Sequence, residues 1–273
     1  MPRILHVCIV ALCLWAEAPA PSSAAAPPSP SAILDKVAAA YGGRSVLDAI
    51  KNQVVVIQIT VQGQPAIITT TAEQPNKFLQ HVQVPSYYVD VLTGYDGTVG
   101  WTRDNYGSHA ASGEKLTSIE CQAIEANDSV LRPESWPMTV ELKPNETVDG
   151  KSYLVLSVTP KSCPGSTMYV DPKTYLIARV VSPTQTLSLA DWAVGPLGEK
   201  YAKSLTVTNI AGTIKGSVLS VKDNVDLDPS TFAMPPSPPS PSPSPSPAMP
   251  CCAMPAASPS PSATPTPAPS PTP

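Results

Sequence analysis

The stretch VVVIQITVQGQPAIITTTA, residues 54–72, sets the fold class. Val55, Ile57, Ile59 and Val61 fall on alternate positions, with Gln58 and Thr60 between them. A period of two puts successive side chains on opposite faces, so one face of this segment is apolar and the other polar. Gln62-Gly63-Gln64 interrupts the run, and AIITTTA reads as the returning strand of a hairpin.

The same alternation continues downstream. In MTVELK (138–143), Met138, Val140 and Leu142 oppose Thr139, Glu141 and Lys143. In YLVLSVTP (153–160), Leu154, Leu156 and Val158 share a face. Asp149-Gly150 joins these two segments and predicts a two-residue hairpin turn. STMYVDPKTYLIARVV (166–181) predicts another hairpin, turning at Asp171-Pro172-Lys173-Thr174. TQTLSLADW, AKSLTVTNI and GSVLSVKDNV extend the series. In TGYDGTVGW (93–101), Asp96-Gly97 fits a type I′ turn, so Asp96 reads as a turn residue rather than a catalytic acid.

Two segments keep helical spacing instead. AILDKVAAAYGG places Ile33, Leu34, Val37 and Tyr41 on one side, with Ser31 as the expected cap and Gly42-Gly43 as the stop. A short helical turn follows, with Val46, Leu47 and Ile50 together. GEKLTSIECQAIEANDSVLR places Leu116, Ile119, Ala123, Ile124, Val130 and Leu131 at intervals of three, four and seven. The fold class is therefore mainly β with α. About ten antiparallel strands form a strongly curved sheet, an open half-barrel, covered by an N-terminal helix and a mid-chain helix. A large curved sheet under so few helices leaves its interior incompletely filled, which makes a binding cavity.

The chain ends differ from this middle. Residues 1–26, MPRILHVCIVALCLWAEAPAPSSAAA, carry Arg3, an uncharged run from Ile4 to Trp15 and small residues after it. That pattern is an export signal, and the run is too short to span a bilayer. Residues 235–273 hold 17 of the chain's 35 prolines, with no charge and no glycine. They read as a disordered Pro/Ser-rich tail, because proline fixes φ and removes the amide donor. The domain between spans 31–234. A net charge of −4 without basic clusters argues against nucleic acid as a partner.

Of six cysteines, only Cys121 and Cys163 lie in the domain. Export to an oxidising compartment makes a Cys121–Cys163 disulfide the expectation, with two separate buried thiols as the alternative. Cys251 and Cys252 sit in the tail, where two cysteines without nearby histidines make a poor metal site. No cofactor is expected. No nucleophile motif, zinc motif or phosphate loop occurs, and His81 and His109 stand without a catalytic partner nearby in sequence. The chain reads as a non-enzyme. Trp101, Trp136, Trp192, Tyr87 and Tyr88 belong either to the core or to a cavity mouth. Arg103 and Arg179 are either solvated or placed to meet a head group.

Several of these pieces, in order, resemble the outer-membrane lipoprotein-sorting, Lol carrier-like family. They are ILDKVAAAYGGRSVLDAIKN, AEQPNKFLQHVQVP, GYDGTVGW, VDGKSYLVLSVTP, MYVDPKTYLIARVV and VKDNVDLDPSTFAMP. Tyr175 departs from the pattern, standing where glycine is common, and residues 191–213 match loosely. The resemblance implies a half-barrel lidded by helices, with a hydrophobic hollow that shelters acyl chains. The expectation is thus an exported, periplasmic carrier of a lipid or lipoprotein acyl chain. Its expected cavity residues are Val55, Ile57, Ile59, Val140, Leu142, Leu154, Leu156, Leu116 and Ile119. The alternative is an envelope sensor or adaptor of the same fold, binding a protein partner with the tail as spacer.

Overall fold

The structure, a computed structural model, describes residues 28–132 and 136–236. The expected export signal, Cys251-Cys252 and all but the first two residues of the tail lie outside the described residues. Among the described residues there are three α-helices: α1 (Pro30–Ala40), α2 (Arg44–Ala49) and α3 (Gly113–Ala126). Thirteen strands accompany them. The first six are β1 (Asn52–Val61), β2 (Gln64–Glu73), β3 (Lys77–Val84), β4 (Val89–Tyr95), β5 (Gly100–Asp104) and β6 (Gly107–Ala110). After α3 come β7 (Met138–Val148), β8 (Lys151–Pro160), β9 (Ser166–Val170) and β10 (Ile177–Val181). The last are β11 (Gln185–Val194), β12 (Lys200–Asn209) and β13 (Gly212–Asp223).

All thirteen pair antiparallel in one sheet, ordered β6-β5-β4-β3-β2-β1-β13-β12-β11-β10-β9-β8-β7. The ladder does not close, because β6 and β7 remain its two edges. This is the open half-barrel expected, with three more strands than the count of about ten. One of them, β6, occupies a segment whose polar residues hide a short edge strand carrying His109.

The turns follow their local chemistry. Gln62-Gly63 and Asp149-Gly150 each have positive φ at both positions, as a two-residue hairpin requires. Asp96-Gly97 does not form the expected type I′ turn, since only Gly97 has positive φ. A four-residue loop forms instead, because the Asp96 carboxylate accepts hydrogen bonds from the N–H groups of Thr98 (2.8 Å) and Val99 (2.7 Å). Asp96 is a turn residue, as expected. The Asp171 carboxylate organises its turn in the same way, accepting from Lys173 N–H and Thr174 N–H. Tyr175 in that turn takes a left-handed φ of 57°. The glycine-like conformation is therefore kept without glycine, and the Tyr175 ring packs against the α1 cluster and under the Lys36 ammonium.

The helices differ from expectation in detail. Ser29, not Ser31, caps α1, accepting from Ala32 N–H. α3 ends at Ala126, because Asp128 adopts a left-handed φ of 52°; Val130 and Leu131 belong to a separate 3-10 turn, Ser129–Leu131. Asn127 locks this end in place. It is 3% exposed and donates to the carbonyls of Ala123 and Lys77.

The core is split in two. α1 lies over the β7 end, where Ile33, Leu34, Val37 and Ala38 meet Leu156, Met168, Val170 and Ile177. α3 lies over β2 to β5, where Ile119 and Ala123 meet Phe78 and Tyr95. Cys121 and Cys163 form the expected disulfide, with Cα atoms 5.6 Å apart, which ties α3 to the segment after β8.

Candidate functional site

The middle of the sheet carries no such cover. No residue of β1, β11 or β12 is fully buried. By contrast, Val155, Leu156 and Val158 of β8 are 1%, 0% and 3% exposed. Many half-buried residues of the middle strands are nonetheless apolar, among them Val55, Leu187, Leu189, Val218 and Val221. They line a cavity of about 380 Å³ between the mid-sheet strands and the helices. That size falls within the range of small-molecule sites.

Register explains why so many strands present apolar groups to one space. Val55 pairs with Val221, and Ile57 with Val218, so each pair faces the same side. The ladder slips between those pairs, leaving Leu219 as the extra residue, 55% exposed. The bulge keeps Val218 and Val221 on one face although their spacing is odd. The roof comes from the helices. Tyr41 at the end of α1, Leu47 of α2 and Ile124 of α3 reach the cavity. Two arginines join these helices. Arg132 donates to the carbonyls of Leu47 and Asn127, and Arg44 donates to that of Leu131.

Aromatic residues sort clearly. Trp192 lines the cavity and meets Tyr41 edge-on, with ring centroids 5.4 Å apart. Burial pushes the Tyr41 phenol well above its ordinary value, so it enters the site as a neutral hydroxyl. Trp101 is a core residue, 1% exposed, with its indole N–H donating to the Phe232 carbonyl at 2.8 Å. Trp136 is half-buried ahead of β7. Tyr87 and Tyr88 project from the β3–β4 loop, Tyr88 at 86% exposure. Neither Arg103 nor Arg179 reaches the cavity; Arg103 stands 3.9 Å from Asp90 and Arg179 lies over the Tyr169 ring.

Of the nine cavity residues expected from sequence, Val55 lines this space. Val140, Leu142, Leu154 and Leu156 sit in or against the α1 cluster. Leu116 and Ile119 belong to the α3 cluster. Ile57 and Ile59 continue Val55's face toward the far end of β1, beyond the cavity wall. Alternation alone identifies an inner face, but not which part of it a helix covers. Leu187 and Leu189 carried the same signal in TQTLSLADW as Val55 did in its strand.

Sequence reasoning passed over the polar part of the site altogether. Glu125, Asp128, Glu199 and Gln53 line the same cavity, with Lys200 as the lining's cation. Glu199 is 4% exposed, in the turn between β11 and β12. Its Oε2 accepts from Leu197 N–H, and the carboxyl lies within hydrogen-bond reach of Asp223. Asp223 in turn accepts from the Gln53 amide at 2.8 Å. Burial, then the neighbouring Asp223 carboxyl, raises the Glu199 pKa. Loss of solvent on their cavity side also raises those of Glu125 and Asp128, although both side chains keep an exposed face. Among the described residues, no group of three or more His, Cys, Asp or Glu is arranged to hold a metal ion. No described helix is long and apolar enough to cross a membrane.

No family model and no curated protein matches the chain. Solved structures do. A domain named for outer membrane lipoprotein sorting, from Vibrio parahaemolyticus, superimposes at a TM-score of 0.50 with 12% identity, covering 75% of this chain and 96% of its own. A LolA superfamily protein from Nitrosomonas europaea gives a TM-score of 0.51 with 15% identity, covering 76% and 98%. At such identities the likeness concerns the fold. The chain has the Lol carrier-like fold that its sequence pieces resemble.

Proposed function

We propose that this protein is an exported carrier that holds an acyl chain of a lipid or lipoprotein in its mid-sheet cavity, without a covalent step. The observation that supports this most is the cavity itself: about 380 Å³, walled largely by apolar side chains, several of them on strands that no helix buries. Each methylene sequestered there gains about 0.8 kcal/mol. Losing translational and rotational freedom costs about 4 kcal/mol or more. The balance favours a guest that is held and can still leave. Export rests on the sequence of residues 1–26, and the carried class on the names of the two structural relatives.

Lipid extraction followed by mass spectrometry, on protein purified from a bacterial periplasm without detergent, tests the reading. Acyl lipid at near-stoichiometric amount supports it. A protein free of lipid that captures a partner only when residues 235–273 are present would favour the adaptor alternative instead.

A further inference from the structure

The cavity is apolar along its strands but acidic at one end. Gln53 and Asp223 pair at one end of the β1–β13 ladder, and Glu199 precedes β12 at that same end. Glu199 is in the cavity lining, and Asp223, outside the lining, neighbours it; Glu199 Oε1 and Asp223 Oδ2 are both buried, and neither has a hydrogen-bond donor among the described residues. Two carboxylates brought together offer only acceptors to each other, so one proton or one cation must lie between them. Buried acceptors without a donor are costly, and proteins rarely leave two side by side.

The surroundings add more negative charge than they relieve. Asp128 faces the same space from the loop after α3 and feels the Asp223 charge. Glu125 faces it from α3. Helices α1 and α3 both end at the cavity, with Tyr41 and Glu125 in its lining, and neither carries a basic residue in its last turn. A helix C-terminus is the negative end of its dipole and ordinarily attracts Lys or Arg. Arg132, which partners Asp128 at 3.8 Å, donates to two backbone carbonyls. Lys200 is the one cation of the lining. The four carboxyl groups are not arranged for a metal ion. An anionic head group would meet more carboxyl groups than cations here, Lys200 being the lining's one cation.

Resting on the carrier reading above, we propose that the Glu199–Asp223 end of the cavity binds a cationic head group, an alkylammonium, whose chain runs along Val55, Leu187, Leu189 and Val218. The ammonium donates to Glu199 Oε1 and Asp223 Oδ2 and takes the place of the proton they share, which leaves to the buffer. The occupant is thus an amino-headed amphiphile rather than a fatty acid or a phosphate ester without an amine.

Displacement of N-phenyl-1-naphthylamine, an uncharged fluorophore that brightens in apolar surroundings, tests this on the full chain. Dodecylammonium, dodecanol and dodecanoate share one chain and differ in head charge. Dodecylammonium is expected to displace the fluorophore at a concentration about tenfold or more below dodecanol, as a charged hydrogen bond would give, with dodecanoate weakest. Glu199→Gln and Asp223→Asn, each checked for folding by circular dichroism, are expected to abolish that ranking. Equal displacement by all three overturns the head-group proposal and leaves the carrier reading standing. Wild-type ranking retained in both variants also overturns it. Failure of all three to displace the fluorophore, or of the fluorophore to bind, overturns both.

Discussion

Gly94 and Trp101 face each other across the β4–β5 ladder, and the indole lies directly over the Gly94 α-carbon. A β-carbon at 94 would stand 2.3 Å from the ring atoms Cε2 and Cζ2. Gly100, next to Trp101, does the same for α3: a β-carbon there would meet Leu116 at 2.7 Å. Gly94 and Gly100, two of the three glycines of TGYDGTVGW, therefore make room for a buried indole and for the helix above it, while Asp96 shapes the turn between them.

Gly94→Ala is accordingly expected to destabilise the protein by about 1–3 kcal/mol, because the indole must shift in a packed core and its bond to Phe232 is lost. Chemical denaturation followed by tryptophan fluorescence measures this. Unchanged stability would contradict the packing described.

The disulfide closes a separation of 42 residues and anchors α3 to the far side of the cavity. Replacing Cys121 and Cys163 by Ser is expected to cost about 4 kcal/mol in the chain-entropy account. Guanidinium titrations of the variant and of reduced wild type should agree, and both should fall below oxidised wild type. A loss below about 1 kcal/mol would mean that α3 is held by its packing alone.

Asp171 illustrates pH dependence of the usual sign. Burial pushes its carboxyl up, but bonds from Lys151, at 2.6 Å, and from Lys173 and Thr174 N–H outweigh it and hold it below the ordinary 3.8. A lowered folded value means stability present above that ordinary value and lost as pH falls through the folded one. Asp171→Asn should lessen the acid sensitivity and cost about 1–2 kcal/mol at neutral pH. Identical acid-unfolding profiles for variant and wild type would refute this.

Glu199 has the opposite sign. Its raised value makes the protonated, folded form the favoured one, so its stability is present below the ordinary 4.5 and lost as pH rises through the raised value. Glu199→Gln should therefore be more heat-stable than wild type at neutral pH without ligand, and the two should converge in acid. Thermal melts at several pH values decide it; a variant less stable at neutral pH contradicts the assignment.

The sequence carried the architecture well because the architecture is periodic. Val55, Leu154 and Leu187 each announce an inner face by alternation, and Ile33 to Val37 announce α1 by helical spacing. It carried the site poorly because a cavity is a difference between two surfaces. Leu156 and Leu187 look alike in their strands, yet α1 packs directly on one while the other faces the cavity. Glu199, in an irregular turn 24 residues before Asp223, gave no periodic signal and meets it only through the β12–β13 ladder.

The central claim is that the mid-sheet hollow takes up an apolar guest. Saturable fluorescence titration with N-phenyl-1-naphthylamine tests it most directly, comparing wild type with Val55→Trp/Leu189→Trp, a variant that fills the hollow from two strands. Wild type should bind at a single saturable site, and the filled variant, still folded by circular dichroism, should bind about tenfold more weakly or not at all. An unsaturable wild-type signal, or equal affinity in the folded variant, would contradict the account.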